Sequence, residues 1–240
     1  MTAELVLLPL GVAAGAVTQR VTGIGFALVS APLLVLVAGP FDGIILSNIL
    51  GLVVSAVVLA STWRDVQWRR GLMLVLPALA AIPLGALVAR AMPGPLLLVL
   101  VGSLVLVALT LVQASPRARV LRGPGGAVTA GAASGFMNVT AGVGGPAMVL
   151  YAVSTAWEHR RFVATFQFYS VIVNLGSLLA KGPPALPARS LLVSLAALAV
   201  GLAGGELLSR RVPAERAGRA LLVLALAGAA ATVAKGLIAL

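Results

Sequence analysis

Cysteine is absent from all 240 positions and histidine occurs once, as His159. The chain therefore has no disulfides, thiolate metal sites or catalytic thiols, and no His-rich metal cluster. Charge is scarce as well: 10% of residues are Asp, Glu, Lys or Arg, against about 25% in soluble domains. The longest polar connection, around Ser115–Gly126, is too short for a soluble domain. The first residues, "MTAELVLL", hold no Lys or Arg and carry Glu4. A cleaved secretory signal needs a basic leader, so this stretch is expected to remain as the first helix. The lone His159 stands in "WEHRRF" beside Glu158, with no nucleophile or metal-ligand cluster to serve it. The pattern does not describe an enzyme.

What fills the chain is apolar. Hydrophobic residues make up 60% and the mean hydropathy is +1.11. Runs of such length, separated by short polar gaps, read as an all-α polytopic membrane protein. Ten apolar segments are expected: 4–18, 24–39, 43–62, 71–90 and 95–113, then 124–138, 143–156, 162–180, 190–208 and 217–239. The net charge of +11 comes from 15 Arg and 2 Lys against six acids. In a soluble protein this would suggest nucleic acid. Here the basic residues sit mainly in loops, where they act as topology signals, and no nucleic-acid partner is expected.

The two halves resemble each other at an offset of about 120. "GIGF" (23–26) falls on "GVGG" (142–145), Gly85 on Gly205, and Arg90 and Pro93 on Arg210 and Pro213. An internal repeat follows: 1–114 as a first transmembrane repeat, 115–123 as a basic cytoplasmic linker, 124–240 as a second. If every segment changes sides, thirteen loop cations, among them Arg64, Arg69, Arg117 and Arg119, share one face. Only Arg90, Lys181, Arg189 and Lys235 share the other. Treating the first two segments of each half as a hairpin that enters and leaves on one side removes only Arg20 from that count. Treating each pair as one broken span gives nine to seven, without the bias that the positive-inside rule requires. Each half therefore crosses an odd number of times and the repeats are inverted, with both termini extracytoplasmic in the inner (plasma) membrane of a bacterium.

The first two segments of each repeat are expected to be short, at about 15 residues or roughly 22 Å, and glycine-broken in a hairpin-like way. Such paired interruptions point to a transporter's binding site. A helix that begins inside the membrane presents unpaired amides and about half a positive charge at its N-terminus, which suits an anion. Glycine lets ligand oxygens approach those amides, and Pro146 suits a first helical turn. Gly23, Gly25, Gly142, Gly144 and Gly145, with Thr22, are therefore candidate ligand-binding positions. The alternative is that the glycines only let helices pack closely.

Arg20 has two readings. At membrane depth an arginine costs about 2.5–3.5 kcal/mol, which an oxyanion would offset; in a cytoplasmic loop it would be a topology signal. Asn138 and Thr140 could donate neutral hydrogen bonds at the second break or serve as ordinary turn residues. Segment 162–180 carries Gln167, Ser170, Asn174 and Ser177 on one helical face, and Ser47, Asn48 and Ser55 offer a thinner version in the first half. Such stripes line a cavity or bond neighbouring helices. Of the six acids only Glu206 lies inside an apolar segment, close to Arg210. It reads as an interfacial ion pair, so no proton relay is visible.

At the motifs "TGIGFALVSAP" and "TAGVGGPAMVL" the chain resembles the sulfite exporter TauE/SafE family, which carries a glycine cluster of the type G-[IV]-G-G-G near the start of each half. The resemblance spans essentially the whole chain. Phe26 and Ala27 replace glycines in the first copy and Pro146 replaces one in the second. Membership implies a secondary transporter, an exporter of sulfite, thiosulfate, sulfonates or related anions, working by alternating access around a central site. A transporter or channel for another small organic anion, such as a carboxylate, is the alternative. The expected partners are the small anion and the lipid bilayer, no cofactor or metal is expected, and homo-oligomerisation stays open.

Overall fold

A computed structural model describes residues 2–114, 121–209 and 214–240, and the regular structure within them is helical throughout. The helices of the first half are α1 (Thr2–Thr22), α2 (Phe26–Ala38), α3 (Pro40–Thr62), α4 (Trp68–Ala91) and α5 (Gly94–Ala114). Those of the second are α6 (Gly123–Ala141), α7 (Gly145–Ser154), α8 (His159–Lys181), α9 (Ala188–Ser209) and α10 (Ala214–Ile238). A 3-10 turn, Trp63–Asp65, follows α3. Ten helices match the ten apolar segments. Arg117 and Arg119 of the linker, and Arg210, Arg211 and Pro213 of the loop-charge and repeat arguments, lie outside the described residues.

One expectation is corrected. α1 has 21 residues and α6 has 19, so the first segment of each half is not short. Polar residues that end an apolar run need not end a helix. The hydroxyls of Thr18 and Thr22 donate to the carbonyls of Ala14 and Thr18, at 2.8 and 2.9 Å, so α1 continues through its polar end. The short helices are α2 and α7, of 13 and 10 residues. At 1.5 Å per residue they are about 20 and 15 Å long, less than the ~30 Å hydrocarbon core.

Four described helices are long and apolar enough to cross a membrane: α3 with its 3-10 turn, α4, α8 and α9 to Leu208. The outer surface agrees. Leu76, Leu87, Leu179 and Val200 are each more than 60% exposed, while Gln167, Asn48, Ser134 and Thr165 are wholly buried. A soluble domain buries the first set and exposes the second; oily outside and polar inside is the arrangement a bilayer demands. The chain is a polytopic membrane protein.

α3 and α8 pack on each other across the middle. α1 packs on α9 and on α2, α6 packs on α4 and on α7, and α5 packs on α10. Small residues bring these helices close. A Cβ on Gly201 of α9 would lie 2.7 Å from the Cβ of Ala16 in α1, and one on Gly135 of α6 would press on the backbone of Ala78 in α4. The far ends of the helices beside the breaks are tied to their neighbours. Lys235 Nζ donates to the Leu36 carbonyl in the last turn of α2 at 2.7 Å. Arg70 donates to Thr155 Oγ1 at 2.6 Å, just past α7, and its guanidinium lies 3.7 Å over the Trp157 ring.

Candidate functional site

Each glycine motif folds into the same local structure. α1 closes with a hydrogen bond from the Gly23 amide to the Gln19 carbonyl at 2.8 Å, and α6 with one from Gly142 to Asn138 at 2.9 Å. Gly23 and Gly142 then take φ of +80° and +70°, the left-handed region that glycine enters without strain. Three residues later α2 starts at Phe26 and α7 at Gly145. Gly23 and Gly142 are 119 positions apart, as are Gln19 and Asn138.

The two breaks meet at one cavity of about 60 Å³, several times the ~10–15 Å³ that one water needs. Residues 119 apart line it together: Gln19 with Asn138, Gly25 with Gly144, Gly51 with Ser170, and Ser55 with Asn174. Ser47, Gly142, Gly145, Phe166, Gln167 and Tyr169 also contribute to the lining, and among the described residues no Asp, Glu, Lys, Arg or His does. Its polarity comes from amides and hydroxyls.

The two helix starts differ. Gln19 Oε1 accepts from the amides of Gly25 and Phe26 at 2.8 and 3.1 Å, so a neutral side chain caps α2 from within the cavity. Asn138 is one methylene shorter and turns away, donating to Asn174 Oδ1 and Ser177 Oγ, both at 3.1 Å. Among the described residues no side chain caps α7 as Gln19 caps α2; Gly144 and Gly145 at its start line the cavity. The loops themselves are pinned. Gln19 Nε2 and Gln167 Nε2 both donate to the Gly23 carbonyl, at 2.8 and 3.1 Å. Ser134 donates to the Gly144 carbonyl at 2.7 Å and Ser47 to that of Gly142 at 3.4 Å. Gln167 Oε1 is buried without a hydrogen-bond partner.

Of the positions singled out from sequence, Gly25, Asn138, Gly142, Gly144, Gly145, Gln167, Ser170 and Asn174 come together around this cavity. Arg20, Thr22, Gly23, Thr140 and Asn48 are not on its wall. Arg20 pairs with Glu206 of α9 at 2.5 Å, both side chains being 38% exposed. Thr140 bonds back to the Phe136 carbonyl at 2.6 Å. Gly23 turns its carbonyl to Gln19 and Gln167, and Asn48 is buried with neither amide atom partnered. Two residues were overlooked. Gln19 is legible once the halves are aligned at 119, because it then matches Asn138. Lys181, counted from sequence as a loop cation, is buried and donates to the Val139 carbonyl in the last turn of α6 at 3.0 Å; no local signal marks that contact.

Membrane-crossing helices around a cavity between two broken helix pairs, its wall largely apolar with a few amides and hydroxyls among the described residues, fit a membrane transport protein. The chain belongs to the sulfite exporter TauE/SafE family, whose sequence profile matches residues 7–232. It is a transporter and not an enzyme. Searches against curated proteins and solved structures gave no match.

Proposed function

We propose that this chain is a secondary transporter that exports a small sulfur-containing oxyanion, such as sulfite, across the inner membrane of a bacterium. The observation that carries the reading is the start of α7, uncapped among the described residues, at the cavity between the two breaks. The amides at Gly144 and Gly145 bring about half a positive charge, and Asn174 and Ser170 add neutral donors. Gln19 already occupies the equivalent amides of α2, so the anion is held from the α7 side. Arg20, engaged by Glu206, lies off the cavity wall and is left out of the first contacts.

The halves act as inverted repeats. α1 packs on α9 and α6 on α4, which is one contact made twice under exchange of the halves, and the cavity wall repeats at 119. Alternating access then amounts to one broken pair rocking against the other around the cavity. A membrane potential negative inside drives an anion outward, at about 2.3 kcal/mol per charge per 100 mV.

The test is counterflow of radiolabelled sulfite and acetate in vesicles holding the purified protein. Sulfite should exchange and acetate should not. Gly145→Leu should lower that exchange at least about tenfold by filling the cavity. A Cβ at position 145 meets only Phe166 Cζ, 3.8 Å away, so the fold should tolerate the change and elute as a single species. Unaltered exchange in a well-folded Gly145→Leu, or exchange of acetate alone, overturns the assignment.

A further inference from the structure

Building on that reading of the cavity, we infer that the site selects an oxyanion that is singly charged and still protonated, over its dianion and over monoanions that have no O–H. Two independent features converge on this. The first is charge. Among the described residues the wall carries no cationic side chain, so the positive end of α7 and a few neutral dipoles replace the water stripped from the ligand. Desolvation grows steeply with charge, and half a helix-terminal charge suits one negative charge and not two.

The second is Gln167. This residue is wholly buried on the cavity wall, and its Oε1 has no donor. The amide cannot be reversed without loss, because Nε2 donates to the Gly23 carbonyl; a flip would set two oxygens against each other. An unmet acceptor thus belongs to a residue of the cavity wall, whose ligand must otherwise be received by donors. An oxyanion that brings its own O–H satisfies Oε1, and one that lacks it leaves a buried acceptor unpaired. Sites built around such a hydrogen bond reject analogues that cannot make it.

The proton in question belongs to the ligand. Elements packed against α8 carry Asp42 in α3, Arg64 and Asp65 in the 3-10 turn, and Arg69, Arg70 and Arg90 in α4; α8 itself carries His159, Arg160, Arg161 and Lys181. None of these lines the cavity. Tyr169 does, with its hydroxyl turned to the Gly131 carbonyl at 3.4 Å.

The experiment uses full-length protein in vesicles, with radiolabelled sulfite at fixed total concentration. The pH is varied across the range in which hydrogen sulfite loses its proton. Chlorate, pyramidal and singly charged but without an O–H at any pH, is the unlabelled competitor. The initial rate should fall with rising pH in step with the hydrogen sulfite fraction, and chlorate should compete at least about tenfold more weakly than unlabelled sulfite. Gln167→Leu should bring the two competitors to within about twofold. A wild-type rate that is flat or rising with pH, or chlorate that competes equally with sulfite, overturns the inference while sulfite transport stands. A sodium requirement at constant pH would assign Oε1 to a cation and overturn it as well. If wild-type protein moves no sulfur oxyanion, the transport reading itself fails. The wild-type pH profile and competition decide the matter even if the variant does not fold.

Discussion

Gln19 shows how one side-chain length sets the character of a site. Its amide reaches the first two amides around the start of α2, whereas Asn138, at the matching position, stops short and bonds α8. One helix start is thereby capped by the protein and the other is left uncapped among the described residues. Two substitutions separate the parts of this claim. Gln19→Ala removes an acceptor from buried amides, at about 1–3 kcal/mol. It should lower the unfolding temperature in detergent, and sulfite should raise it more than in wild type, since the anion gains a second set of amides. Gln19→Glu keeps the cap and improves its match to the helix dipole, yet places negative charge on the cavity wall. Thermal stability should be retained while sulfite exchange falls at least about tenfold. Exchange near the wild-type rate would detach Gln19 from the ion path.

The Arg20–Glu206 pair answers to a different measurement. Both side chains are 38% exposed, so a double-mutant cycle on unfolding should return a coupling of about 1 kcal/mol or less. Arg20→Ala should reduce exchange much less than Gly145→Leu does. A loss as large as that of Gly145→Leu would return Arg20 to the binding site.

Among the helices, close approach is secured by small residues at two matching crossings. In α6, Gly131 and Gly135 abut the backbone of α4 at Leu74 and Ala78; in α9, Gly201 and Gly205 abut α1 at Ala13 and Val17. Neither crossing has room for a branched side chain. Gly135→Val and Gly201→Val should each shift the helices apart and cost about 1–3 kcal/mol, seen as a lower melting temperature and early-eluting material in size-exclusion chromatography. In the first crossing α4 adds Gly85, the match of Gly205, against Phe136 and Val139 of α6; Gly131 and Gly135 of α6 have no glycine counterparts in α1 at the second crossing.

For the molecule as a unit, the proposed inverted arrangement fixes which loops share a side. The chain has no cysteine, so single cysteines can be introduced without removing any. Arg64→Cys should react with a membrane-impermeant maleimide only in inside-out vesicles, and Ala185→Cys only in whole cells. Labelling of both from one side would break the topology.

How much of this could be read along the chain varies with the range of the interaction. The helix count and the two breaks are visible because hydropathy and glycine content are local properties, averaged over a turn or two. The extents of α1 and α6 are less legible, because a polar residue at the end of an apolar run need not end the helix. Thr18 and Thr22, bonding back to their own helix, show that polarity and helix ending are separate matters. Half of the site was visible for the same local reason: the stripe Gln167, Ser170 and Asn174 lies on one face by helical period alone.

The amino-acid order thus settled that this chain lives in a membrane and that both glycine motifs interrupt a helix, since each follows from composition and spacing. Which helix start is capped and which is left uncapped among the described residues, and which acceptor is left waiting, was decided only on folding. Those outcomes depend on contacts such as Gln167 with Gly23, whose partners are 144 residues apart, and on whether a side chain spans the last ångström to its partner, which no periodicity along the chain encodes.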